Sequence, residues 1–100
     1  DSLGGGVGLD NRLTFPMVQA LVDEVVLLEE AEIAAGIRHC YWQERQVVEG
    51  SGAVAVGALL AGKVRPTGPT LALLSGGNID IALHHRIVSG EDVDAAREAA

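Results

Sequence analysis

The most informative segment for the fold is Thr70-Leu71-Ala72-Leu73-Leu74-Ser75-Gly76-Gly77-Asn78. It opens with an apolar run of strand length, and the glycine pair then interrupts regular structure. Either Asn78 or Asp80 can cap a helix that continues to about Val88. The order of strand, glycine turn and helix is typical of an α/β sheet, in which ligands bind at the carboxyl ends of the strands.

The apolar pattern predicts further helices and a strand on the N-terminal side of this segment. Thr14 is the predicted N-cap of a first helix, residues 24–28 form a buried strand, and residues 29–46 form a long helix. Residues 53–61 are apolar on all sides, which predicts a buried helix capped by Ser51 or Gly52. Two strands joined through helices form a parallel pair. We therefore predict an α/β fold with a partial parallel sheet and flanking helices, whose missing partner strands lie upstream or in another subunit.

Composition excludes several classes of protein. The chain has 100 residues and a formal net charge of -7, so a nucleic-acid partner is not expected. Its longest apolar run, residues 53–61, is shorter than the roughly 20 residues that cross a bilayer, so no membrane partner is expected. The neighbouring pairs His39–Cys40 and His84–His85 diverge on a helix, which argues against a metal site. A single cysteine, Cys40, is consistent with a buried free thiol and a cytoplasmic location.

The strand end carries groups that suit ligand binding. Ser75 offers a neutral hydroxyl that donates or accepts a hydrogen bond. Gly76 and Gly77 let the backbone approach a flat or anionic ligand closely. A tight turn with no ligand is the structural alternative for the same glycines.

Wider motifs resemble a known family. Val47-Val48-Glu49-Gly50-Ser51-Gly52-Ala53-Val54-Ala55 lies upstream, and Leu73-Leu74-Ser75-Gly76-Gly77-Asn78-Ile79-Asp80 follows. Together they resemble the C-terminal signature of the threonine dehydratase and serine racemase family, and the resemblance covers residues 1–88. Gly50 stands where many members have proline. The opening, residues 1–11, is most similar to hydroxyectoine-utilisation dehydratases, with Ser2 where most members have glycine.

The resemblance implies a fold, a cofactor and a set of site residues. Residues 1–100 would be the C-terminal segment of the large domain of a fold-type II, tryptophan synthase β-like enzyme that binds pyridoxal 5'-phosphate. Ser75 would hydrogen-bond the pyridine nitrogen, and Gly76, Gly77 and Asn78 would shape the turn beside the ring. Glu49 would lie near the cofactor, with helix capping or a structural ion pair as its alternatives.

The opening loop is assigned by the same resemblance. Leu3 and Gly4 would line the mouth of the active site through backbone groups, and a flexible turn is the alternative. The family's phosphate-binding tetraglycine loop and its Schiff-base lysine would lie upstream of residue 1. No catalytic residue is therefore expected in this chain, and Lys63, its only lysine, is expected to serve solubility.

The implied activity is β-elimination from threonine, serine or a related hydroxy amino acid to a 2-oxo acid and ammonia, by a homo-oligomeric enzyme. Both ends of the sequence are expected to be cuts, and the chain alone is expected to be inactive. Within the family, a serine racemase-like activity is the alternative. Outside it, the alternative is a non-catalytic α/β module that binds an anion through its glycine-rich opening or mediates subunit contacts.

Overall fold

The computed structural model describes residues 8–91, and helices provide the regular structure within that range. The described helices are α1 at Thr14–Leu21, α2 at Glu30–Trp42, α3 at Val54–Leu60 and α4 at Ile81–Val88. A short 3-10 turn at Gly50–Gly52 immediately precedes α3. The sequence also predicts a further helix with an acidic first turn at Glu91, Asp92 and Asp94, and the last two of these lie outside the described residues.

Helix α2 is central to the packed part of the molecule. The spacing of Ile33, Ile37, Cys40 and Tyr41 predicts one apolar face for this helix. The prediction is confirmed, because Ile37 and Cys40 are completely buried, while Ile33 and Tyr41 pack against the same cluster. Helix α2 contacts both α3 and α4. Burial of aliphatic side chains between these three helices is the main stabilising term available to the described fold.

Helix α2 ends earlier than predicted. The predicted helix extended to Gln46, whereas the structure ends it at Trp42. Arg45 has a φ of 60°, which is incompatible with a continuing right-handed helix, and the Gln46 backbone N–H donates back to the Cys40 carbonyl oxygen at 2.8 Å.

Two predicted N-caps are wrong and one is confirmed. Thr14 is the first residue of α1, not its cap, and Asn11 Oδ1 instead accepts a hydrogen bond from the Phe15 backbone N–H at 2.6 Å. Helix α3 starts after Ala53, because the 3-10 turn occupies the positions of the predicted caps, Ser51 and Gly52. Asp80 does cap α4, with its Oδ2 accepting from the Leu83 backbone N–H at 3.0 Å.

The predicted strands are wrong within the described residues. Residues 24–28 and 70–74 are not helical, but neither segment is assigned as a strand, so residues 8–91 contain no parallel sheet. Burial still alternates along both segments: Leu27 and Leu71 are 82% and 91% exposed, whereas Leu28 and Leu74 are half-buried. Apolar alternation reports one covered face, but a strand also needs a backbone neighbour to pair with.

Helix α4 is tied to α2 at its C-terminal end. Arg38 Nε donates to the Ile87 carbonyl oxygen at 2.7 Å, and Arg38 Nη2 donates to the Glu91 carbonyl oxygen at 2.7 Å. Trp42 Nε1 donates to the Val88 carbonyl oxygen at 2.9 Å. These donors satisfy carbonyl groups that have no partner inside the helix, and thereby fix the helix that begins just after the predicted site.

Candidate functional site

The site is built on the turn that links buried Val48 to α3. The Gly52 backbone N–H donates to the Glu49 carbonyl oxygen at 3.0 Å, and the Ala53 backbone N–H donates to the Gly50 carbonyl oxygen at 3.1 Å. This tight spacing fits a sequence of small residues that lacks bulky side chains. It leaves the Glu49 side chain, which is half-buried, at the start of the turn.

The turn meets the glycine-rich stretch that the sequence singled out. The Glu49 backbone N–H donates to the Gly76 carbonyl oxygen at 3.1 Å. The Ser75 backbone N–H donates to the Gly52 carbonyl oxygen at 3.4 Å. The two motifs behind the family resemblance, remote in sequence, are therefore in direct backbone contact.

Gly76 is required where it lies for two reasons. Its φ is 66°, a left-handed conformation that residues with a Cβ rarely adopt. A Cβ at this position would also overlap the Glu49 carboxylate, with its Oε1 as the nearest atom. The missing side chain of Gly76 is therefore what lets the Glu49 carboxyl group lie against residues 75–78, which are named the strand end for their predicted position although no strand is assigned before them.

The predicted ligand-facing residues are accessible. Ser75, Gly76, Gly77 and Asn78 are all exposed, and the Ile79 backbone N–H donates to the Gly77 carbonyl oxygen at 2.9 Å to form a tight turn. Within residues 8–91, the Ser75 hydroxyl makes no hydrogen bond, which leaves it available to a ligand. The structure thus brings together Glu49, Ser75, Gly76 and Gly77, with Asn78 next along the chain.

Sequence reasoning placed two further site residues where the structure gives no description. Leu3 and Gly4 lie outside residues 8–91, so their predicted place at the active-site mouth stays a prediction. It also missed Gly52, whose backbone packs directly under Ser75. The signal in the sequence is the small-residue pair Ser51 and Gly52, which predicts a helix cap but does not reveal the close backbone contact.

Lys63 is more than a surface charge that aids solubility. Its Nζ donates to the Leu27 carbonyl oxygen at 2.8 Å and to Glu32 Oε1 at 2.7 Å. Glu32 Oε1 also accepts from the Glu29 backbone N–H, and these contacts hold the pKa of Glu32 below its ordinary value, the backbone contact first. Lys63 is thus an ion-paired ammonium group at the start of α2.

Other titratable groups lie in the packed layer and not at the strand end. Burial raises the pKa of the Cys40 thiol, and the charge of Glu44 adds to the effect. Burial lowers the pKa of His84, with a smaller contribution from His85. Among residues 8–91, no three His, Cys, Asp or Glu side chains gather as metal ligands would.

An open apolar groove lies apart from the predicted site residues. None of Glu49, Ser75, Gly76, Gly77 or Asn78 lines it. At its polar edge, His39 Nε2 lies 3.3 Å from Glu44 Oε1. Its lining consists of His39, Glu44, Val56, Leu59, Leu60, Ala72 and Leu74.

The candidate site consists of the small-residue turn Glu49–Gly52 and the segment Ser75–Gly77, joined by backbone hydrogen bonds. A glycine-rich surface of this kind is typical of a ligand-binding protein. The chain is similar in sequence to proteins named threonine dehydratase or ammonia-lyase. The chain is 56% identical over 91 residues to a provisionally named threonine dehydratase of Sinorhizobium fredii, covering 90% of this chain and 27% of that protein. It is 46% identical over 85 residues to an L-threonine ammonia-lyase of Geobacter sulfurreducens, covering 84% of this chain and 21% of the enzyme.

A serine racemase of Arabidopsis thaliana is also similar, 41% identical over 76 residues, covering 69% of this chain and 23% of that protein. The chain is thus a homologue of the threonine dehydratases, and it spans about a quarter of the length of these relatives. No protein-family model matches the chain, and no solved structure matches it significantly. Within residues 8–91, no helix has the length and hydropathy needed to cross a bilayer.

Proposed function

We propose that this chain is the C-terminal segment of the cofactor-binding domain of a pyridoxal-phosphate-dependent threonine/serine dehydratase. The observation that carries the proposal is the contact between the Glu49–Gly52 turn and the Ser75–Gly76 strand end. The relatives named above are threonine dehydratases and ammonia-lyases, and they support the same reaction class. The substrate is then a hydroxy amino acid that loses its β-hydroxyl group.

The donor chemistry of the strand end suits the cofactor. A pyridine nitrogen needs one hydrogen-bond partner, and the exposed Ser75 hydroxyl is free to provide it within the described residues. Gly76 and Gly77 carry no side chain that would keep an aromatic ring away from the backbone. When bound, pyridoxal phosphate supplies the electron sink for loss of the α-proton.

The chain's own residues would hold the ring and would not transfer the proton. A serine hydroxyl is neutral, so Ser75 orients the ring nitrogen without enforcing its protonation, unlike a carboxylate at the same place. The Glu49 carboxylate, held against Gly76, adds negative charge at the edge of the site. Lys63 is ion-paired with Glu32, and this engagement argues against its acting as the amine that attaches the cofactor.

The exposed apolar residues support the placement within a larger domain. Leu27, Leu71 and Leu73 are large apolar side chains that are 82%, 91% and 70% exposed, as expected where further polypeptide packs. We accordingly propose that residues 1–100 work as part of a longer, homo-oligomeric enzyme of the cytoplasm, a location that suits the single free thiol of Cys40. We further propose that the enzyme acts in hydroxyectoine catabolism, because residues 1–11 resemble the opening of hydroxyectoine-utilisation dehydratases.

The test is Ser75→Ala in the full-length enzyme encoded by the parent open reading frame. Loss of the hydrogen bond to the ring should lower kcat for threonine by at least about tenfold, which corresponds to about 1.4 kcal/mol. The dissociation constant of the cofactor, measured by absorbance titration, should change less. Ser89→Ala, at the exposed far end of α4, is the matched control and should leave both quantities unchanged. Wild-type kinetics in Ser75→Ala would remove the ring-binding role.

A racemase is the second candidate because the Arabidopsis relative carries that name. Chiral chromatography of serine after incubation with the full-length enzyme separates the two activities. Accumulation of the D-enantiomer without pyruvate would replace the dehydratase proposal by the racemase. Formation of pyruvate and ammonia with no D-serine would exclude the racemase.

A further inference from the structure

One contact at the site concerns a residue that binds no ligand in the proposed function. Gly52 is buried at the end of the 3-10 turn, directly under the peptide of Ser75. We propose that Gly52 is a positioning residue: the absence of its side chain sets the position of the Ser75 backbone, and through it the direction of the Ser75 hydroxyl. This inference rests on the proposed function, because the hydroxyl is the group assigned to the cofactor.

The space beside the Gly52 Cα is filled by main-chain atoms. A Cβ added there would overlap the Ser75 carbonyl oxygen and would lie 2.7 Å from the Ser75 carbonyl carbon and 2.8 Å from the Gly76 carbonyl oxygen. Side-chain ends can rotate away from such a contact, but a peptide group moves only together with its neighbours. Any substitution of Gly52 must therefore push the strand end away from the turn.

Two hydrogen bonds convert that push into a change at the site. Ser75 donates its backbone N–H to the Gly52 carbonyl oxygen, and Gly76 accepts from the Glu49 backbone N–H. Both bonds join the same two segments, so separating the segments weakens both bonds and shifts Ser75 relative to Glu49. Hydrogen bonds weaken steeply with distance and angle, and a displacement of about 1 Å at a reacting centre can cost about a hundredfold in rate.

The same turn offers a matched control. A Cβ at Gly50 meets only the Ile33 Cγ2 atom at 3.3 Å, the end of a side chain that can adjust. Gly50→Ala and Gly52→Ala therefore add the same methyl group to the same 3-10 turn, but only the second pushes on the strand end. Gly50 is assigned no contact with the cofactor.

The experiment compares the two variants in the full-length enzyme with pyridoxal phosphate and threonine. We expect Gly52→Ala to weaken cofactor binding or lower kcat by about ten- to a hundredfold and to shift the absorbance and fluorescence of the bound cofactor. Gly50→Ala should stay within about twofold of wild type with an unchanged spectrum. If Gly52 acts through Ser75, adding Gly52→Ala to Ser75→Ala should cause little further loss of kcat, because the hydroxyl that it positions is already gone.

Two results for these variants would overturn the inference. The first is wild-type cofactor binding, spectrum and kcat in Gly52→Ala. The second is a full additive loss of kcat in the double variant, which would show that Gly52 acts independently of Ser75.

If Gly52→Ala does not fold, Gly77→Ala displaces the backbone less, because its Cβ would lie 3.0 Å from the Val47 carbonyl oxygen. We then expect a smaller spectral shift of the same sign as in Ser75→Ala, and an unchanged spectrum and kcat would count against the inference. A wild-type enzyme that neither binds the cofactor nor deaminates threonine would instead refute the proposed function.

Discussion

Apolar residues behave differently in two regions of this molecule. In the packed layer of α2, α3 and α4, the side chains of Ile37, Cys40 and Ile87 are completely inaccessible to solvent. Helix α1 buries none of its residues, although its apolar side chains are as large: Phe15, Met17, Val18 and Leu21. Residues 24–28 and 70–74 lie between these extremes, with one face covered and the other exposed.

An apolar pattern predicts a surface that favours burial, but it does not identify the partner that buries it. Helix α2 finds its partners, α3 and α4, within the described chain, so its apolar face is buried here. Helix α1 carries a comparable pattern without such partners among residues 8–91. The apolar spacing of a helix predicts that one face favours burial. Whether that face is buried depends on packing partners that are remote in sequence.

The largest expected effect comes from removing core volume on one side of this contrast. Ile37→Ala should lower the free energy of unfolding of the 100-residue chain by about 2–5 kcal/mol, because it leaves a cavity between α2 and its neighbours. Leu27→Ala, which truncates an exposed side chain, should change it by less than about 0.5 kcal/mol. Urea unfolding followed by circular dichroism measures both, and equal losses in the two variants would break the distinction between the regions.

The next effect concerns polar contacts in the same two regions. Arg38→Met removes the donors to the carbonyl oxygens of Ile87 and Glu91. It should destabilise the chain by about 1–3 kcal/mol because two hydrogen bonds from a charged donor are lost, although the Ile87 carbonyl oxygen keeps its bond from the Gly90 backbone N–H at 3.1 Å. Arg12 pairs with Asp10 at 3.4 Å, and both side chains are exposed. Arg12→Met should therefore cost at most about 0.5 kcal/mol. An equal loss in the free energy of unfolding for both arginine variants would mean that the hydrogen bonds between α2 and α4 stabilise the chain no more than an exposed ion pair does.

The helices were largely predictable from sequence because their signals are local. The apolar spacing of α2, the Asp80 cap of α4 and the stop at Gly62, whose φ is 72°, all depend on residues within a turn or two. The strands were not predictable in the same way, since a strand exists only through a neighbour that is remote in sequence. The apolar runs at residues 24–28 and 70–74 gave the right alternation of faces but no information on pairing.

The candidate site shows the same division. Ser75, Gly76 and Glu49 were identifiable because two short motifs resembled a family. The role of Gly52 was not, because nothing local reveals that its Cα lies against a peptide reached only after α3 and the following loop. Close approach of two backbones is a long-range property, and a glycine marks it without naming the partner.

The smallest predicted effect tests the packed layer through acid. His84 is 5% exposed, its ring centroid lies 5.1 Å from that of Tyr41, and its Nε2 has no hydrogen-bond partner within the described residues. Because its pKa in the folded chain is below the ordinary 6.5, the unfolded chain takes up the proton first as pH falls. The contribution of neutral His84 to stability is thus complete above pH 6.5 and is lost below it, by at most about 1.4 kcal/mol per pH unit.

Glu32, with its lowered pKa, titrates below its ordinary value of 4.5 and so contributes little to unfolding measured between pH 7 and about pH 5. The difference between wild type and a His84 variant in that interval isolates the His84 proton from other groups, such as His39 beside Glu44. His84→Phe keeps an aromatic ring against Tyr41 and should reduce the pH dependence in that interval by the contribution of His84. His85→Gln should keep most of it, because burial, and not the neighbouring charge, is the main cause of the shift. If the free energy of unfolding of His84→Phe depends on pH as steeply as that of wild type, the acid sensitivity arises from groups other than His84. The buried imidazole would then not distinguish the packed layer of α2, α3 and α4 from the exposed regions.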